Sequence, residues 1–342
     1  MTMVIVALIK AFVVVLLFAM TLGGLLTWVE RKQSALIQDR IGPNRASILG
    51  FRLFGVFHLL ADGLKMLTKE NFIPDQANKV LFFIAPGISL FAVLAVWAVI
   101  PFGPGDVFVI AEVDTGILLI FAVSSLGVFG NTIGAWASYN KWSLIGGMRV
   151  AAQMISYEVS LGLSIVGVFM VYESVNLVQI VHGQGELLWG FVPKWGIVTQ
   201  PFAFVLFLTA AIAENKRAPF DVAEADNEIV SGYFTEYSAL GFGGFFLAEF
   251  VAIVLLAAMS ATLFLGGWQI PWVTGDALWI QLLQVGAFSV KTLFMIWLMM
   301  MIRWTLPRFR YDQIMHLGWK VLLPLALANV VVTGVVLRLT TG

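Results

Sequence analysis

Apolar runs about 20 residues long recur along this chain, and no other feature restricts its fold as much. Each can carry a helix across roughly 30 Å of hydrocarbon. Eight such runs stand at roughly 3–29, 80–101, 117–137, 150–172, 198–213, 239–264, 280–302 and 319–338. Barrel strands would alternate in short segments, and these runs are continuous. Only 12% of the 342 residues are charged and 60% are hydrophobic, so the chain cannot hide its apolar surface in water. The expected fold class is an all-α polytopic membrane protein with about eight transmembrane helices plus an interfacial amphipathic helix. The fifth run is short, and Pro201 is expected to open it. Pro86-Gly87 is expected to kink the second. The run from Ala11 to Val29 is too long for a signal-peptide core and lacks a small-residue cleavage site, so it reads as a retained span. The whole of 1–342 is expected to form one membrane domain, with cytoplasmic loops at 30–79 and 214–237.

The distribution of charge sets an expected orientation. The first loop carries Arg31, Lys32, Arg40, Arg45, Arg52, Lys65, Lys69 and Lys79. The later odd-numbered loops add Lys141, Arg149, Lys216, Arg217, Arg303, Arg308 and Arg310, whereas the even loops hold Lys194. Positive loops stay inside, so both termini are expected on the outer face. The expected location is the bacterial cytoplasmic (inner) membrane, rather than that of a mitochondrion. Within the first loop, Leu53, Phe57, Leu60, Leu64 and Leu67 recur at helical spacing opposite His58, Asp62, Lys65 and Lys69. Two separated faces of this kind predict a helix lying in the interface plane. It serves either as a surface anchor or as one wall of an access route for an amphiphilic substrate.

The absence of cysteine excludes disulfides and thiolate-held clusters on this chain. The three histidines, His58, His182 and His316, fall in or near loops, which argues against a haem held between spans. No metal site and no nucleic-acid partner are expected, and no Walker A or dinucleotide fingerprint occurs.

Chemistry is expected from ionisable residues inside apolar runs. Glu158, Glu249 and Lys291 each lie far from a loop. A charge at mid-membrane costs roughly 2.5–3.5 kcal/mol even on the lenient insertion scale, so such residues face a protein interior or a wet cavity. Counting along the spans gives depths of roughly 12, 15 and 16 Å, which would let the three meet. They form either a packing lock or a proton relay. The fifth loop adds Glu214, Asp221, Glu224, Asp226, Glu228 and Glu236 against Lys216 and Arg217. If the stretch after Pro219 is helical, Asp221, Glu224 and Glu228 share a face. Such a row either passes protons or is a solvated acidic loop. Basic, aromatic-rich segments around Arg149 and from Arg303 to Arg310 suit either topology signals or docking of an extrinsic protein.

Several stretches resemble one known family. They are Glu30-Arg31-Lys32, Gln38 with Arg40-Ile41-Gly42-Pro43, Ala61-Asp62-Gly63-Leu64-Lys65, Arg149, and Ser156-Tyr157-Glu158. The longest runs from Ala213-Glu214-Asn215-Lys216-Arg217 through Ala218-Pro219-Phe220-Asp221 to Glu224, Glu228 and Glu236-Tyr237-Ser238. Phe246-Leu247-Ala248-Glu249, Pro307-Arg308-Phe309-Arg310-Tyr311-Asp312-Gln313 and Trp319-Lys320 complete the set. Together they resemble the H-type membrane-arm core subunit of respiratory complex I, the proton-pumping NADH–quinone oxidoreductase, over nearly the whole chain. Departures are mild: His58 stands where glutamine is usual, and Asp226 where glutamate is common.

The resemblance implies a subunit without a redox centre, and so without catalytic residues of its own. Ubiquinone or another quinone is the implied substrate. FMN and iron–sulfur clusters would lie in partner subunits. The implied partners are the other membrane-arm subunits, the quinone-site subunits of the hydrophilic arm, and membrane lipid. The implied proton relay comprises Glu158, Glu214, Asp221, Glu224, Asp226, Glu228 and Glu249, to which the buried-charge reading adds Lys291. The implied quinone chamber and arm interface comprise Arg31, Arg40, Asp62, Lys65, Arg149, Arg217, Phe220, Tyr233, Arg308 and Arg310. Two other functions fit parts of the pattern: the homologous subunit of a membrane-bound hydrogenase, and a stand-alone cation/proton antiporter, although no internal repeat is evident.

Overall fold

The computed structural model describes residues 9–341 except positions 106, 189, 274 and 276; the side chains of Asp226 and Thr341 also lie outside the described set. Seven helices among the described residues are long and apolar enough to cross a membrane. They are α1 (Ile9–Ile37), α3 (Lys79–Val96), α4 (Gly116–Ala137), α5 (Lys141–Tyr172), α8 (Ala239–Phe264), α9 (Leu278–Thr305) and α10 (Tyr311–Thr340). The expected eighth segment is α7 (Pro201–Glu214), shorter but apolar, and Pro201 does open it. The fold is therefore an all-α polytopic membrane protein. Of the predicted first span, residues 3–8 lie outside the described residues.

Several boundaries shift for physical reasons. Helix α5 starts at Lys141, nine residues before the apolar run, with Asn140 capping it by accepting from the Trp142 amide at 2.8 Å. That added stretch holds Ser143, Gly146 and Gly147, all buried. Ser143 and Gly146 hide from water by packing against the neighbouring loop, and Gly147 by packing against Ala135 of α4, rather than by being apolar. Gly146 permits that approach: a Cβ there would stand 2.5 Å from the Tyr233 nitrogen and 2.6 Å from the Gly232 carbonyl carbon. Helix α3 continues through Pro86 but ends at Val96, short of the predicted limit. Helix α4 is interrupted between Ser124 and Leu126.

Helix α8 forms the axis of the bundle. From Val251 to Phe264 nearly every residue is buried, and the main core gathers around it from α1, α5, α7 and α9. A helix apolar all round is stable only when enclosed in this way. In the first loop, α2 (Phe57–Thr68) is the predicted amphipathic helix. Its Leu60, Leu64 and Leu67 are exposed, so this apolar face is open to a surrounding membrane. Helix α6 (Leu177–Gln184) and a two-residue β pair, Leu187–Leu188 with Val192–Pro193, complete the turn before α7.

Candidate functional site

The end of α7 places two cations side by side in the interior. Lys216 is 4% exposed and Arg217 is 7% exposed. Both reach Glu249, which α8 carries into the core. Lys216 Nζ lies 3.4 Å from Glu249 Oε1, and Arg217 Nη2 lies 3.6 Å from Glu249 Oε2. The Tyr233 hydroxyl donates to Glu249 Oε1 at 2.6 Å and accepts from Lys216 Nζ at 3.2 Å. On its other side Arg217 Nη1 donates to Glu30 Oε2 at 3.2 Å, and Arg303 pairs with the second oxygen of Glu30. The Arg217 guanidinium also lies 4.3 Å from the Phe250 ring centre. Buried charges persist only when paired and hydrogen-bonded, and each charge here has such a partner.

Two cavities border this cluster. The larger, about 80 Å³, is lined by Glu158, Glu214, Lys216 and Glu249, together with Ser89 and Asn131. A space of about 10–15 Å³ on this measure holds one water, so this one accommodates several. Glu158 on α5 and Glu249 on α8 thus line one cavity. The smaller, about 20 Å³, lies among Glu30, Arg217 and Arg303. Asn215 lines both.

The acidic loop does not continue as a helix after Pro219. Turns run to Glu224, followed by a single helical turn at Asp226–Ile229. Phe220, Val222, Ala223, Ala225 and Ile229 are all buried, and no single helical face could bury that set. Gln153 of α5 fixes the loop instead. Its amide donates to the Ala213 and Phe220 carbonyls, both at 2.8 Å. The predicted acidic face is consequently split. Glu224 turns inward, and burial first, then the negative charges of Glu249 and Asp221, push its carboxyl well above the ordinary range. Carrying its proton, Glu224 hydrogen-bonds to Glu249. Burial, followed by the charges of Glu249 and Glu224, likewise pushes up the Tyr233 hydroxyl. Glu228 points outward to Arg149 at 2.5 Å, and Glu236 accepts from Asn140 at 2.5 Å.

Lys291 is separate from this chamber. Its ammonium donates to the Gly267 carbonyl at 3.0 Å and the Gln269 carbonyl at 2.7 Å, and lies 4.4 Å from the Trp195 ring centre. The turn after α8 folds back onto α9, and residue counting could not register that. The remaining predicted residues lie nearer the surface. Arg31 pairs with Asp62 at 2.6 Å, tying α1 to α2. Arg40 Nε donates to Gln38, and Lys65 is exposed. Phe220 stacks on Phe309 at 5.4 Å, and the Phe309 amide donates to the Pro219 carbonyl at 3.0 Å. Arg308 is half-buried, while exposed Arg310 lies 3.6 Å from Asp312. Among the described residues, no group of three His, Asp or Glu could hold a metal ion.

Glu30, Lys216, Arg303 and Gln153 were missed as site residues. The first three read as boundary charges at span ends. Gln153 carries no charge; Ala152-Gln153 is one of the stretches that carry the family resemblance, which gave it no role.

The fold and the chamber define a class: a polytopic helical membrane protein built around a buried network of ion pairs beside an internal cavity. The family described as NADH dehydrogenase matches residues 9–334. Over 335 residues the chain is 46% identical to an H-type subunit of the NADH-quinone oxidoreductase of Syntrophobacter fumaroxidans, covering 96% of this chain and 95% of the relative. It is 45% identical over 327 residues to an H-type subunit from Geobacter metallireducens, with 94% and 93% covered. The H-type subunit of Thermomicrobium roseum is 44% identical over 321 residues, with 91% and 90% covered. The chain belongs to this NADH dehydrogenase family, whose relatives are named as H-type subunits of NADH-quinone oxidoreductase.

Proposed function

We propose that this chain is the membrane subunit of a proton-translocating NADH–quinone oxidoreductase that forms much of the quinone-access chamber and couples quinone reduction to proton movement through buried carboxylates. The observation that carries this reading is the meeting of Glu158, Glu214, Lys216 and Glu249 around one cavity with room for several waters, with Glu224 bonded to Glu249 and close to Asp221 in the loop beyond. Reducing a quinone takes up two protons and creates transient negative charge. Charge arising beside the loop shifts the proton affinity of Asp221 and Glu224, and the network passes that shift to Glu249 and into the cavity. Glu228 extends the acidic route at the loop surface, Asp226 belongs to it by the family resemblance, and Lys291 contributes charge from the middle of α9.

The chamber and arm interface would be framed by Arg31, Asp62 and Lys65 on the α1–α2 side, and by Arg149, Arg217, Phe220, Tyr233, Arg308 and Arg310 on the other, with Arg40 on the intervening loop. The meeting of the third, fifth and seventh loops through Arg149–Glu228 and Phe309–Pro219 supports a common inner face for them. That face would dock the hydrophilic arm, whose subunits hold FMN and the iron–sulfur clusters, while neighbouring membrane-arm subunits and lipid surround the helices. In this reading 1–342 is one domain of the bacterial inner membrane, with 30–79 and 214–237 cytoplasmic and both termini periplasmic.

The test is Glu214→Gln in the intact complex in membrane vesicles. The complex should assemble, while NADH–quinone turnover and proton pumping fall about a hundredfold or more, the low end of what a lost proton-transfer group costs. Wild-type turnover and pumping in an assembled variant would overturn the reading.

A further inference from the structure

Asn215 is the first residue beyond α7, and its backbone is pinned there. Its N–H donates to the Ala211 carbonyl at 3.2 Å, and the Lys216 N–H donates to the Ala213 carbonyl at 3.1 Å. The residue is 5% exposed. Among the described residues it alone borders both cavities, the larger beside Glu158 and Glu249 and the smaller beside Glu30 and Arg303. Among the described residues, too, no group hydrogen-bonds to its side-chain amide. A primary amide offers an acceptor oxygen and two N–H donors, and a buried polar group is costly to leave unmet. Cavity water is the partner within reach. The smaller cavity has room for one water and the larger for several. A water in the smaller one also meets Glu30, Arg217 and Arg303. The rest of that cavity is walled by Ile212, Ile253, Met299 and Met300, so Asn215 is its polar contact toward the larger cavity.

We propose that Asn215 is a positioning residue that joins the two cavities into one hydrogen-bonded water line, along which protons pass between the Glu30 side and the Glu158–Glu214 side. The proposal rests on the functional reading above and adds to it a residue that carries no charge. The oxygen and nitrogen of the amide sit on one carbon, so waters held by them lie close enough to bond each other. That holds whichever way round the amide is turned. A proton moves from one water to the next, and the amide itself neither gains nor loses one. The step is a plain proton transfer and needs no oxidant or reductant. Glu214, the preceding residue, lines the larger cavity, and its buried Oε2 has no hydrogen-bond partner in the protein. It is the acid placed to exchange protons with this line.

The test uses the intact complex in sealed vesicles, with assembly quantified separately. Leucine has the branched shape of asparagine without its donors or acceptor. In Asn215→Leu, quinone turnover and pumping should fall about tenfold, the rate equivalent of one hydrogen bond. The slowing of turnover in heavy water should grow at the same time, because proton passage has become limiting. Asn215→Ser keeps a hydrogen-bonding group, leaves room for a further water, and should recover most of the loss. Turnover of assembled Asn215→Leu within about twofold of wild type overturns the proposal. So does a loss that serine does not relieve and heavy water does not enlarge, the pattern of a purely structural residue. Where the leucine variant does not assemble, a map of the wild-type complex that resolves waters decides. Water bonded to the Asn215 amide in both cavities supports the proposal, and an amide that is dry on either side overturns it. Impaired Glu214→Gln beside normal Asn215→Leu rejects the Asn215 role alone, whereas two normal variants reject the functional reading itself.

Discussion

Removing the Gln153 amide should loosen the acidic loop where it meets the bundle. Gln153 is 1% exposed and spends both amide hydrogens on carbonyls that bracket the turn, Ala213 and Phe220. Gln153→Leu conserves volume, so the cavity contribution is small. Each carbonyl keeps a backbone donor, Lys216 N–H on Ala213 and Val222 N–H on Phe220, so the change removes two hydrogen bonds and leaves no unmet acceptor, at about 0.5–1.5 kcal/mol each. The net expectation is a loss of about 2 kcal/mol. Borne entirely by the rate of thermal inactivation, 2 kcal/mol shortens the half-life about 30-fold.

The assay is the inactivation half-life of the purified complex at a fixed elevated temperature, followed by quinone reductase activity and set against complex content. Turnover at low temperature should also fall, because Glu214 and Asp221 flank the two anchored carbonyls. A half-life within about twofold of wild type would refute the argument. It would mean that the loop holds its shape without this anchor.

Two other substitutions probe the same region. The Glu224 carboxyl is raised by burial and by the Glu249 and Asp221 charges, so the folded chain holds a proton that the unfolded chain releases near its ordinary value. Such a group makes stability fall as pH rises from the unfolded value toward the folded one. Glu224→Gln mimics the protonated form and should flatten the decline in thermal stability between acidic and alkaline buffers; an unchanged slope would count against a neutral Glu224. Gly146→Ala drives a Cβ into the backbone of Gly232 and Tyr233 at 2.5–2.8 Å. Overpacking of this kind costs about 1–3 kcal/mol, and displacing Tyr233 from Glu249 should lower turnover in whatever complex assembles, a result checked by activity per assembled complex.

The spans were legible because length and continuity of apolar sequence suffice to define a membrane helix. The limits of α8 matched to the residue: Ser238 stands before the apolar run, and Gly266-Gly267, both at positive φ, turn the chain just after it. Helix α5 began nine residues early because Ser143 and Gly146 are sheltered by the loop and Gly147 by α4, a form of burial that hydropathy does not register. Charge inside a span likewise marked Glu158 and Glu249 as cavity residues. The same rule misplaced Lys291, because depth counted along one helix cannot show where the next turn folds back.

The part of the site that sequence could not supply is the pairing, and pairing decides which groups can carry a proton. Lys216 and Arg217 are neighbours in the chain and read as one positive loop signal. In the fold they address opposite oxygens of Glu249 and border different cavities. Because Arg217 is shared between Glu249 and Glu30, any change in the charge of Glu30 or Arg303 alters how firmly Arg217 holds Glu249. The α1 end and the cavity are thus electrically joined across α8 through a single guanidinium. A lysine in place of Arg217 would offer one point charge where the fork now spans two carboxylates, so the two sides would be uncoupled even with every formal charge conserved.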